Sequence, residues 1–323
     1  MATVLPVSAE DVEEAAGALR RYLTVTPLQQ SFALTEKAGC PVFLKIETTQ
    51  PTRSFKVRGA LNRVLHLGTE ERRAGVVSAS AGNHGQGVAY AARTFGIPAT
   101  VYVPVGANEG KVASMRRLGA RVVEHGRTFN DANLEALREA ARTGAAFVHA
   151  YDDPDVVAGQ GTVGLELLEQ LPDLDTVICP IGGGGLISGL ALHLKTRRPD
   201  VRIVGVEPAG AAAMHASHRA GRIVMLDRID TMADGLAAST PSALTFAIAE
   251  AFVDELVLVE EPELLRAVRV LMQWEHLLVE PGGAAATAAL LYRYRPRAGE
   301  RIAVLVSGAN VADQVLVQAL RTR

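Results

Sequence analysis

Short, largely apolar runs recur along the chain and alternate with longer segments of helical periodicity. Several runs are apolar at consecutive rather than alternating positions, which is typical of parallel strands covered on both faces. These runs predict strands at 42–46, 76–79, 100–103, 121–124, 147–149, 176–181, 202–206, 256–259 and 302–306. Helices are predicted between them, for example at 88–95, 111–118 and 264–274. The alternation predicts an α/β protein with mostly parallel sheets flanked by helices.

The first helix and the domain boundaries follow from local signals. Ser8 followed by Asp11 resembles a capping box and predicts a helix to about Tyr22, after which Thr26-Pro27-Leu28 predicts extended chain. No low-complexity linker or fixed-period repeat divides the chain. Residues 69–150 nevertheless form a self-contained alternation of strands and helices. We therefore predict a small domain at 69–150 within a large domain made of residues 1–68 and 151–323.

Composition and charge exclude several classes of protein. The 323 residues are 48% hydrophobic and 21% charged, which is ordinary for a soluble protein. The 33 basic and 35 acidic residues give a formal charge of −2, so we expect neither a nucleic acid nor an anionic membrane as partner. The longest apolar run, 177–194, contains Pro180 and five glycines, which makes it a poor membrane-spanning helix.

The cysteines and the N-terminus indicate a cytoplasmic protein. Cys40 and Cys179 lie far apart in apolar sequence without a second pair, which predicts buried thiols in a reducing compartment. The first ten residues lack a basic stretch before an apolar core, so no secretory signal is expected.

Four consecutive glycines follow the predicted strand 176–181. Gly182, Gly183, Gly184 and Gly185 stand between that strand and a predicted helix from Leu186 to Lys195. Residues without side chains at a helix N-terminus allow successive backbone N–H groups to converge on one anion. The loop therefore predicts a phosphate site. Neither a G-x-G-x-x-G after a strand nor a P-loop is present, since Gly110-Lys111 is followed by Val112, so the phosphate belongs to another kind of cofactor.

Only five of the basic residues are lysines, so a lysine that forms a Schiff base can be sought by enumeration. We interpret Lys37 as lying in a polar loop and Lys195 as lying at a helix end. Lys111 opens a helix with an exposed face. Lys45 lies in a strand and is interpreted as the partner of a carboxylate. Lys56 remains, beside an aromatic residue that could cover a planar ring. It is the predicted site of covalent cofactor attachment.

A second loop also leaves a strand and enters a helix. It reads Ser78-Ala-Ser-Ala-Gly-Asn-His-Gly-Gln-Gly87. Its small residues and exposed N–H groups suit a carboxylate, and Asn83 can donate an amide hydrogen to an oxygen on a bound ring. A plain helix cap is the alternative.

Seven motifs, in order, resemble the serine/threonine dehydratase and serine racemase family of pyridoxal-phosphate enzymes of fold type II. They span nearly the whole chain: Ser54-Phe-Lys-Val-Arg-Gly-Ala60, Ser80-Ala-Gly-Asn-His84, Gly159-Gln-Gly-Thr162, Gly182 to Leu186, Ala233-Asp-Gly235, Glu280-Pro281 and Ser307-Gly-Ala-Asn310.

The resemblance assigns the cofactor-binding residues. It implies that Lys56 carries pyridoxal 5′-phosphate and removes the Cα proton of the substrate, and that Phe55 lies against the pyridine ring. Gly182 to Gly185 with Leu186 match the phosphate loop, and Ser307 matches the residue that faces the pyridine nitrogen. The large predicted domain is then the cofactor-binding one.

The same resemblance assigns the substrate site. Ser80, Ala81, Asn83 and His84 match the loop that binds the substrate carboxylate, and Asn83 also matches the residue that bonds the ring hydroxyl. A neutral serine at the pyridine nitrogen makes the ring a weaker electron sink than an aspartate would. The resemblance therefore implies loss of water from a β-hydroxy amino acid such as L-threonine or L-serine, giving a 2-oxo acid and ammonia.

Two other activities stay open. One is an amino-acid racemase on the same scaffold, although Ala81 stands where the racemases of this family have a serine that returns a proton to Cα. The other is dehydration of a bulkier 3-hydroxy amino acid such as hydroxyaspartate or phenylserine. The family also implies a homodimer or higher homo-oligomer.

Several positions depart from the family pattern. Arg53 replaces a small residue that is common before the Ser-Phe-Lys motif. Glu207 is followed by Pro-Ala-Gly-Ala-Ala-Ala, so the second carboxylate of a metal site is missing, and His215 with His218 has no third ligand nearby. No metal is expected. The chain ends at Arg323 without a regulatory C-terminal domain, so isoleucine feedback is not expected either.

Overall fold

The computed structural model describes residues 5–322 and has the alternating helix and strand order that the apolar pattern predicts. Met1–Val4, part of the segment examined for a secretory signal, and Arg323, the end of the predicted large domain, lie outside the described residues. The strands are β1 (Leu28–Gln30), β2 (Val42–Ile46), β3 (Val76–Ala79), β4 (Ala99–Val103), β5 (Arg121–Glu124), β6 (Ala146–Phe147), β7 (Thr176–Pro180), β8 (Arg202–Pro208), β9 (Glu255–Val259) and β10 (Ile302–Val306).

The α-helices cover the sheets formed by these strands. They are α1 (Ala9–Leu19), α2 (Phe32–Ala38), α3 (Lys56–Leu65), α4 (Thr69–Ala74), α5 (Asn83–Phe95), α6 (Glu109–Arg117), α7 (Phe129–Thr143), α8 (Pro154–Gln170), α9 (Gly185–Arg197), α10 (Ala213–Ala220), α11 (Ala243–Phe252), α12 (Glu261–Trp274), α13 (Pro281–Tyr292) and α14 (Asp313–Arg321). Short 3-10 turns lie at Glu47–Thr49, Ala209–Ala211 and Asp234–Leu236.

The strands form two separate sheets. The first has six strands in the order β1-β2-β10-β7-β8-β9, and the second has four in the order β5-β4-β3-β6. Every pairing is parallel except that of β1 with β2, which is antiparallel. The predicted α/β class with mostly parallel sheets is therefore confirmed. The domain boundaries at 69 and 150 stay a prediction, and β1 is a strand that the apolar pattern did not predict.

The core explains why the strands are apolar at consecutive positions. In β10, Ile302, Val304 and Val306 pack into one apolar cluster with α12 and α13. Ala303 and Leu305 point the other way, into a cluster with α8 and α9. Both faces of the strand are thus covered by helices, so neither set of alternating positions can be polar.

One local prediction was wrong and two are confirmed. Lys37 lies in the last turn of α2, which ends at Gly39 in the left-handed conformation, rather than in a loop. Lys111 lies in the first turn of a helix with an exposed face, as predicted, and its own side chain is buried. The Ser8–Asp11 capping box is present, and its helix ends at Leu19, slightly earlier than expected.

A buried ionic network lies where α3, α8 and β2 meet. The Arg58 guanidinium, 2% exposed, donates two hydrogen bonds of 2.8 Å to the Glu47 carboxylate and bonds of 2.7 and 2.9 Å to that of Glu166. The Lys45 ammonium also donates to Glu166, at 2.5 Å, and to the Thr26 carbonyl, at 2.9 Å. The positive charges of Arg58 and Lys45 are therefore balanced by the two carboxylates. The pairing of Lys45 with a carboxylate agrees with the prediction from the sequence.

No helix among residues 5–322 is long and apolar enough to cross a membrane. Cys40 and Cys179 are free thiols in the core, as expected for small apolar side chains. Burial raises the pKa of both thiols, so neither is activated as a nucleophile.

We expect Arg58→Met to destabilise the protein by about 3–5 kcal/mol, since it leaves two buried carboxylates with one cation. Arg20→Met is the matched control, because Arg20 makes an equally short pair with Glu169, at 2.6 Å, on the surface. Its loss should cost less than about 1 kcal/mol. Urea unfolding midpoints at one fixed cofactor concentration measure both. Equal shifts for the two variants would contradict a special role for the buried network.

Candidate active site

The predicted site residues meet beyond the carboxyl ends of the parallel strands. Ser80 follows β3, Gly182 closely follows β7 and Ser307 follows β10. Lys56 begins α3, and the chain just before it joins the segment after β10. Ser54 makes an isolated bridge with Gly308, and the Phe55 N–H donates to the Ser307 carbonyl at 3.1 Å. This is the edge at which ligands bind in open α/β sheets.

The Lys56 ammonium lies beside the segment that joins β6 to α8. Its Nζ donates to the Ala150 carbonyl at 3.0 Å and lies 5.2 Å from the centre of the Phe55 ring. Burial lowers the pKa of Lys56 to about 8, although the carboxylate of Glu280 acts in the opposite direction. A lowered pKa increases the fraction of neutral amine, which is the form that attacks a carbonyl and accepts a proton.

Tyr151, which the sequence did not single out, packs on the glycine loop. A Cβ on Gly183 would lie 2.2 Å from the Tyr151 ring, and one on Gly185 would lie 2.9 Å from the Tyr151 Cβ. The Tyr151 hydroxyl donates to the Thr240 carbonyl at 3.2 Å. Because Tyr151 follows Ala150, the same short segment contacts both Lys56 and the glycine loop.

The glycine loop is shaped for an anion. Gly184 has a φ of +94° and has no room for a Cβ, which would lie 2.9 Å from the Met214 Cε atom. The Thr245 hydroxyl donates to the Gly183 carbonyl at 2.8 Å. The bond from Thr245 thus satisfies the Gly183 carbonyl. The N–H groups in the first turn of α9, from Gly185 and Leu186 onward, have no acceptor within the helix. These N–H groups suit a phosphate.

A chain of side-chain hydrogen bonds fixes Asn83. Asn310 donates to the Asn83 Oδ1 at 2.7 Å and to the Thr52 carbonyl at 2.9 Å. Asn83 in turn donates to Glu280 Oε1 at 2.5 Å. The Asn83 amide is therefore held in one orientation, with a second N–H left to donate. Asn310 and Glu280 occur in recognised motifs, but nothing in the sequence indicated that they contact Asn83.

Glu280 is a buried carboxyl group at the N-terminus of α13. Burial, followed by the negative charge of Asp234, raises its pKa to about 7. Its second oxygen, Oε2, has no hydrogen-bond partner among the described residues. A carboxyl group that titrates near neutral pH within a cleft is typical of an active site. Its place at the start of a buried helix, in Glu-Pro-Gly-Gly, is the signal that could have identified it.

The predicted substrate loop begins α5. The Ser80 hydroxyl accepts the Gly82 N–H at 3.2 Å, and Ala81 is half-buried beside them. His84 is buried, and its Nε2 lies 2.9 Å from the Val148 carbonyl. Burial and the nearby Lys56 charge lower the pKa of His84 to about 3, so its imidazole is neutral. The loop can therefore bind an anion through N–H groups and hydroxyls rather than through a charged side chain.

Other predicted positions lie outside this cluster. Glu207 is buried at the end of β8, and its two oxygens accept the backbone N–H groups of Met214 and His215 at 2.8 and 2.7 Å. His218 pairs with Glu250 instead of joining His215 in a metal site. Arg53 has a φ of +58°, a left-handed conformation that favours glycine and is uncommon for other residues.

The donor set fits pyridoxal phosphate. Lys56 offers an amine with a lowered pKa to its aldehyde, and the glycine loop offers N–H groups to its phosphate. Ser307, buried, offers a neutral hydroxyl whose bond to the Gly282 carbonyl is long, at 3.4 Å, so the hydroxyl is able to turn to a ring nitrogen.

Comparison with known proteins supports the same conclusion. The family described as pyridoxal-phosphate dependent enzyme matches residues 19–308. An L-threonine ammonia-lyase of Thermotoga maritima is 44% identical over 305 residues, which cover 94% of this chain and 76% of that protein. Maize serine racemase has a TM-score of 0.93 at 35% identity, with 97% of each chain covered. The processed form of threonine deaminase isoform 2 from Solanum lycopersicum has a TM-score of 0.92 at 34% identity, covering 99% of this chain and 95% of that one. The chain belongs to the pyridoxal-phosphate dependent enzyme family, in the group of threonine ammonia-lyases and serine racemases.

Proposed function

We propose that this chain is a pyridoxal-phosphate-dependent ammonia-lyase that converts a short β-hydroxy amino acid, L-threonine or L-serine, to a 2-oxo acid and ammonia. The observation that carries the proposal is Lys56, an amine of lowered pKa held between the glycine loop and the Asn83–Glu280 pair. The similarity to an L-threonine ammonia-lyase supports the choice of substrate.

Five groups of this chain would hold the cofactor in the proposal. Lys56 binds its aldehyde carbon, the N–H groups of Gly182 to Gly185 and Leu186 bind its phosphate, and Phe55 lies against its ring. Asn83 donates its second amide hydrogen to the ring hydroxyl, and Ser307 faces the ring nitrogen. The bound cofactor supplies an electron-withdrawing ring that acidifies the hydrogen on the substrate Cα.

The protein groups then bind the substrate and move its proton. Ser80, Ala81, Asn83 and His84 bind the carboxylate at the N-terminus of α5, where N–H groups without helical acceptors favour an anion. The Lys56 amine would accept the Cα proton while the Cβ–O bond breaks and a Cα=Cβ double bond forms, so that this proton and the departing hydroxide together account for one water. Hydrolysis then replaces the amino group by a carbonyl oxygen, so the net products are a 2-oxo acid and ammonia.

A racemase is the second candidate, because maize serine racemase superposes on this chain with a TM-score of 0.93. Inversion at Cα needs a proton donor on each face of the substrate, whereas elimination needs a base on one face. Ala81 matches the serine that fills this role in the racemases, and it has no proton to give. Bulkier substrates such as hydroxyaspartate or phenylserine are distinguished by a screen for 2-oxo acid release.

A cytoplasmic homo-oligomer completes the proposal. The buried free thiols of Cys40 and Cys179 suit a reducing compartment. Phe32, 84% exposed, is a large apolar side chain that a second copy of the chain would cover. Light scattering of the purified protein measures the assembly, and a monomer at micromolar concentration would contradict it.

Lys56→Ala should lower turnover by roughly a thousandfold or more, because it removes both the attachment point and the base. Borohydride treatment of the unmodified enzyme should attach a pyridoxyl group to the Lys56 peptide alone, as mass spectrometry can measure. Lys195→Ala is the control, since Lys195 pairs with Asp254 on the surface at 2.7 Å and should leave labelling and turnover unchanged. A label on another lysine would contradict the assignment.

Ser307→Asp should protonate the ring nitrogen, raise the long-wavelength absorbance of the enzyme during turnover and lower dehydratase activity roughly tenfold. Ser307→Ala removes the hydroxyl without adding charge and separates the effect of charge from that of the lost contact. If neither the spectrum nor the rate of the aspartate variant changes, Ser307 does not face the ring nitrogen.

Ala81→Ser should add serine racemisation, because it supplies a proton donor on the second face, and a general acid contributes roughly 10²–10⁴-fold. The unmodified enzyme should give pyruvate from L-serine with negligible D-serine. Chiral chromatography of early time points measures both products. D-serine that accumulates from the unmodified enzyme as fast as pyruvate would show that another group supplies the second proton.

A further inference from the structure

Lys111 and Asp234 form an ion pair between the two sheets. Lys111 lies in the first turn of α6, which packs on β5 and on α5 of the four-stranded sheet. Asp234 begins the 3-10 turn Asp234–Leu236, which packs on α13 against the six-stranded sheet. The Lys111 ammonium donates directly to the Asp234 carboxylate, and the two residues are 123 positions apart in sequence. The pair therefore connects elements of both sheets.

The 3-10 turn, Asp234–Leu236, forms one wall of the candidate active site. A Cβ on Gly235 would lie 3.6 Å from Glu280 Oε1 and 3.9 Å from Asn83 Nδ2. A Cβ on Gly182, in the phosphate loop, would lie 3.0 Å from the Leu236 Cα. The turn is thus inserted between the glycine loop and the Asn83–Glu280 pair. A shift of this turn would change the space available on both sides.

Exposure differs sharply between the two partners. Lys111 is 9% exposed as a residue, whereas the Asp234 side chain is 63% exposed. Asp234 therefore lies at the rim of the cleft, and Lys111 reaches it from within. A further contact across the cleft, from Asn83 to Glu280, is buried. Separation of the pair would leave a largely enclosed ammonium group without its carboxylate partner, which is unfavourable.

The charges of the pair also reach Glu280. Burial, Asp234 and Lys111 all act on its pKa: burial and Asp234 raise it, and Lys111 lowers it. The other charged group that faces Glu280 is Lys56, whose own pKa Glu280 raises. Asn83 and the Asn310 backbone are its neutral partners, and both favour the ionised carboxylate. Removal of one member of the Lys111–Asp234 pair must therefore shift the titration of Glu280 in a direction set by the charge removed.

We propose that Lys111 and Asp234 are positioning residues whose ion pair acts as a latch, which holds the Asp234–Leu236 turn against Asn83 and Glu280 and closes the cleft over bound amino acid. The inference rests on the proposed function in placing an amino acid there. The latch itself is a property of the protein with or without turnover.

The first test measures the latch in holoenzyme without substrate. Hydrogen exchange of peptides covering 108–117 and 232–238 should become faster in Lys111→Met and in Asp234→Asn. Lys195→Met is the matched control, because Lys195 is enclosed to a similar degree as Lys111 and its Lys–Asp pair lies in neither peptide, so both peptides should stay unchanged. A charge swap, Lys111→Asp with Asp234→Lys, should restore slow exchange at least in part.

The second test uses the visible absorbance of the bound cofactor as a function of pH, and the titration that Glu280→Gln removes is the one assigned to Glu280. Lys111→Met should move the titration that Glu280 governs to higher pH, because a positive charge is lost. Asp234→Asn should move it to lower pH, because a negative charge is lost. A merely structural defect would move both variants in the same direction or in neither.

The third test separates binding from chemistry. An open cleft lowers the fraction of enzyme competent to bind, so KM for L-threonine should rise about tenfold in both variants while kcat changes less. Unchanged exchange at 108–117 and 232–238 in both single variants would overturn the latch, whatever the activity. If Lys111→Met fails to fold, the exposed Asp234→Asn decides the question alone. If the enzyme proves inactive on every amino acid, the exchange and absorbance results still stand, and only the proposed function fails.

Discussion

The enclosed guanidinium of Arg58 constrains both the fold and the site. Its buried positive charge needs negative partners. Glu47, which directly follows β2, and Glu166, which lies in α8, supply them. Arg58 stands two positions after Lys56 in the first turn of α3. Because a buried charge tolerates little displacement from its partners, the same contacts that fix Arg58 fix the direction in which the Lys56 side chain leaves the helix. The amine is positioned by its helix as well as by its own bond to Ala150.

With α3 fixed, the rest of the site follows from the topology of parallel sheets. The loops after β7 and β10 open at the same edge of the six-stranded sheet, and the loop after β3 of the four-stranded sheet meets them through the bond from Asn83 to Glu280. Close approach is then possible only because side chains are missing at a few positions. A Cβ on Gly308 would lie 2.3 Å from the Glu280 carboxyl, and one on Gly183 would enter the Tyr151 ring. The glycines are thus needed for packing as much as for binding an anion.

The sequence predicted what is local and missed what depends on distant partners. Apolar runs found nine of the ten described strands because burial on both faces excludes polar side chains, but β1 is a three-residue edge strand with two exposed positions. Lys56 and the glycine loop could be identified because each stands out within a few residues. The ion pair of Lys111 could not be predicted from its helix, since its partner Asp234 is 123 positions away. Tyr151 lies in an irregular segment, where no periodic pattern marks it. The contact of Asn83 with Glu280 joins residues 197 positions apart, so no local pattern could predict it.

Burial acts in opposite directions on the two titratable groups at the centre of the site. It lowers the pKa of Lys56 to about 8 and raises that of Glu280 to about 7, because a low dielectric disfavours the charged form of each. Both groups consequently titrate within about a unit of neutral pH, and the charge of one affects the other. Nearby His84 is neutral throughout this range. The site therefore concentrates its exchangeable protons on one amine and one carboxyl group. That arrangement suits the proposed reaction, in which Lys56 accepts a proton from carbon without a neighbouring imidazole competing for it.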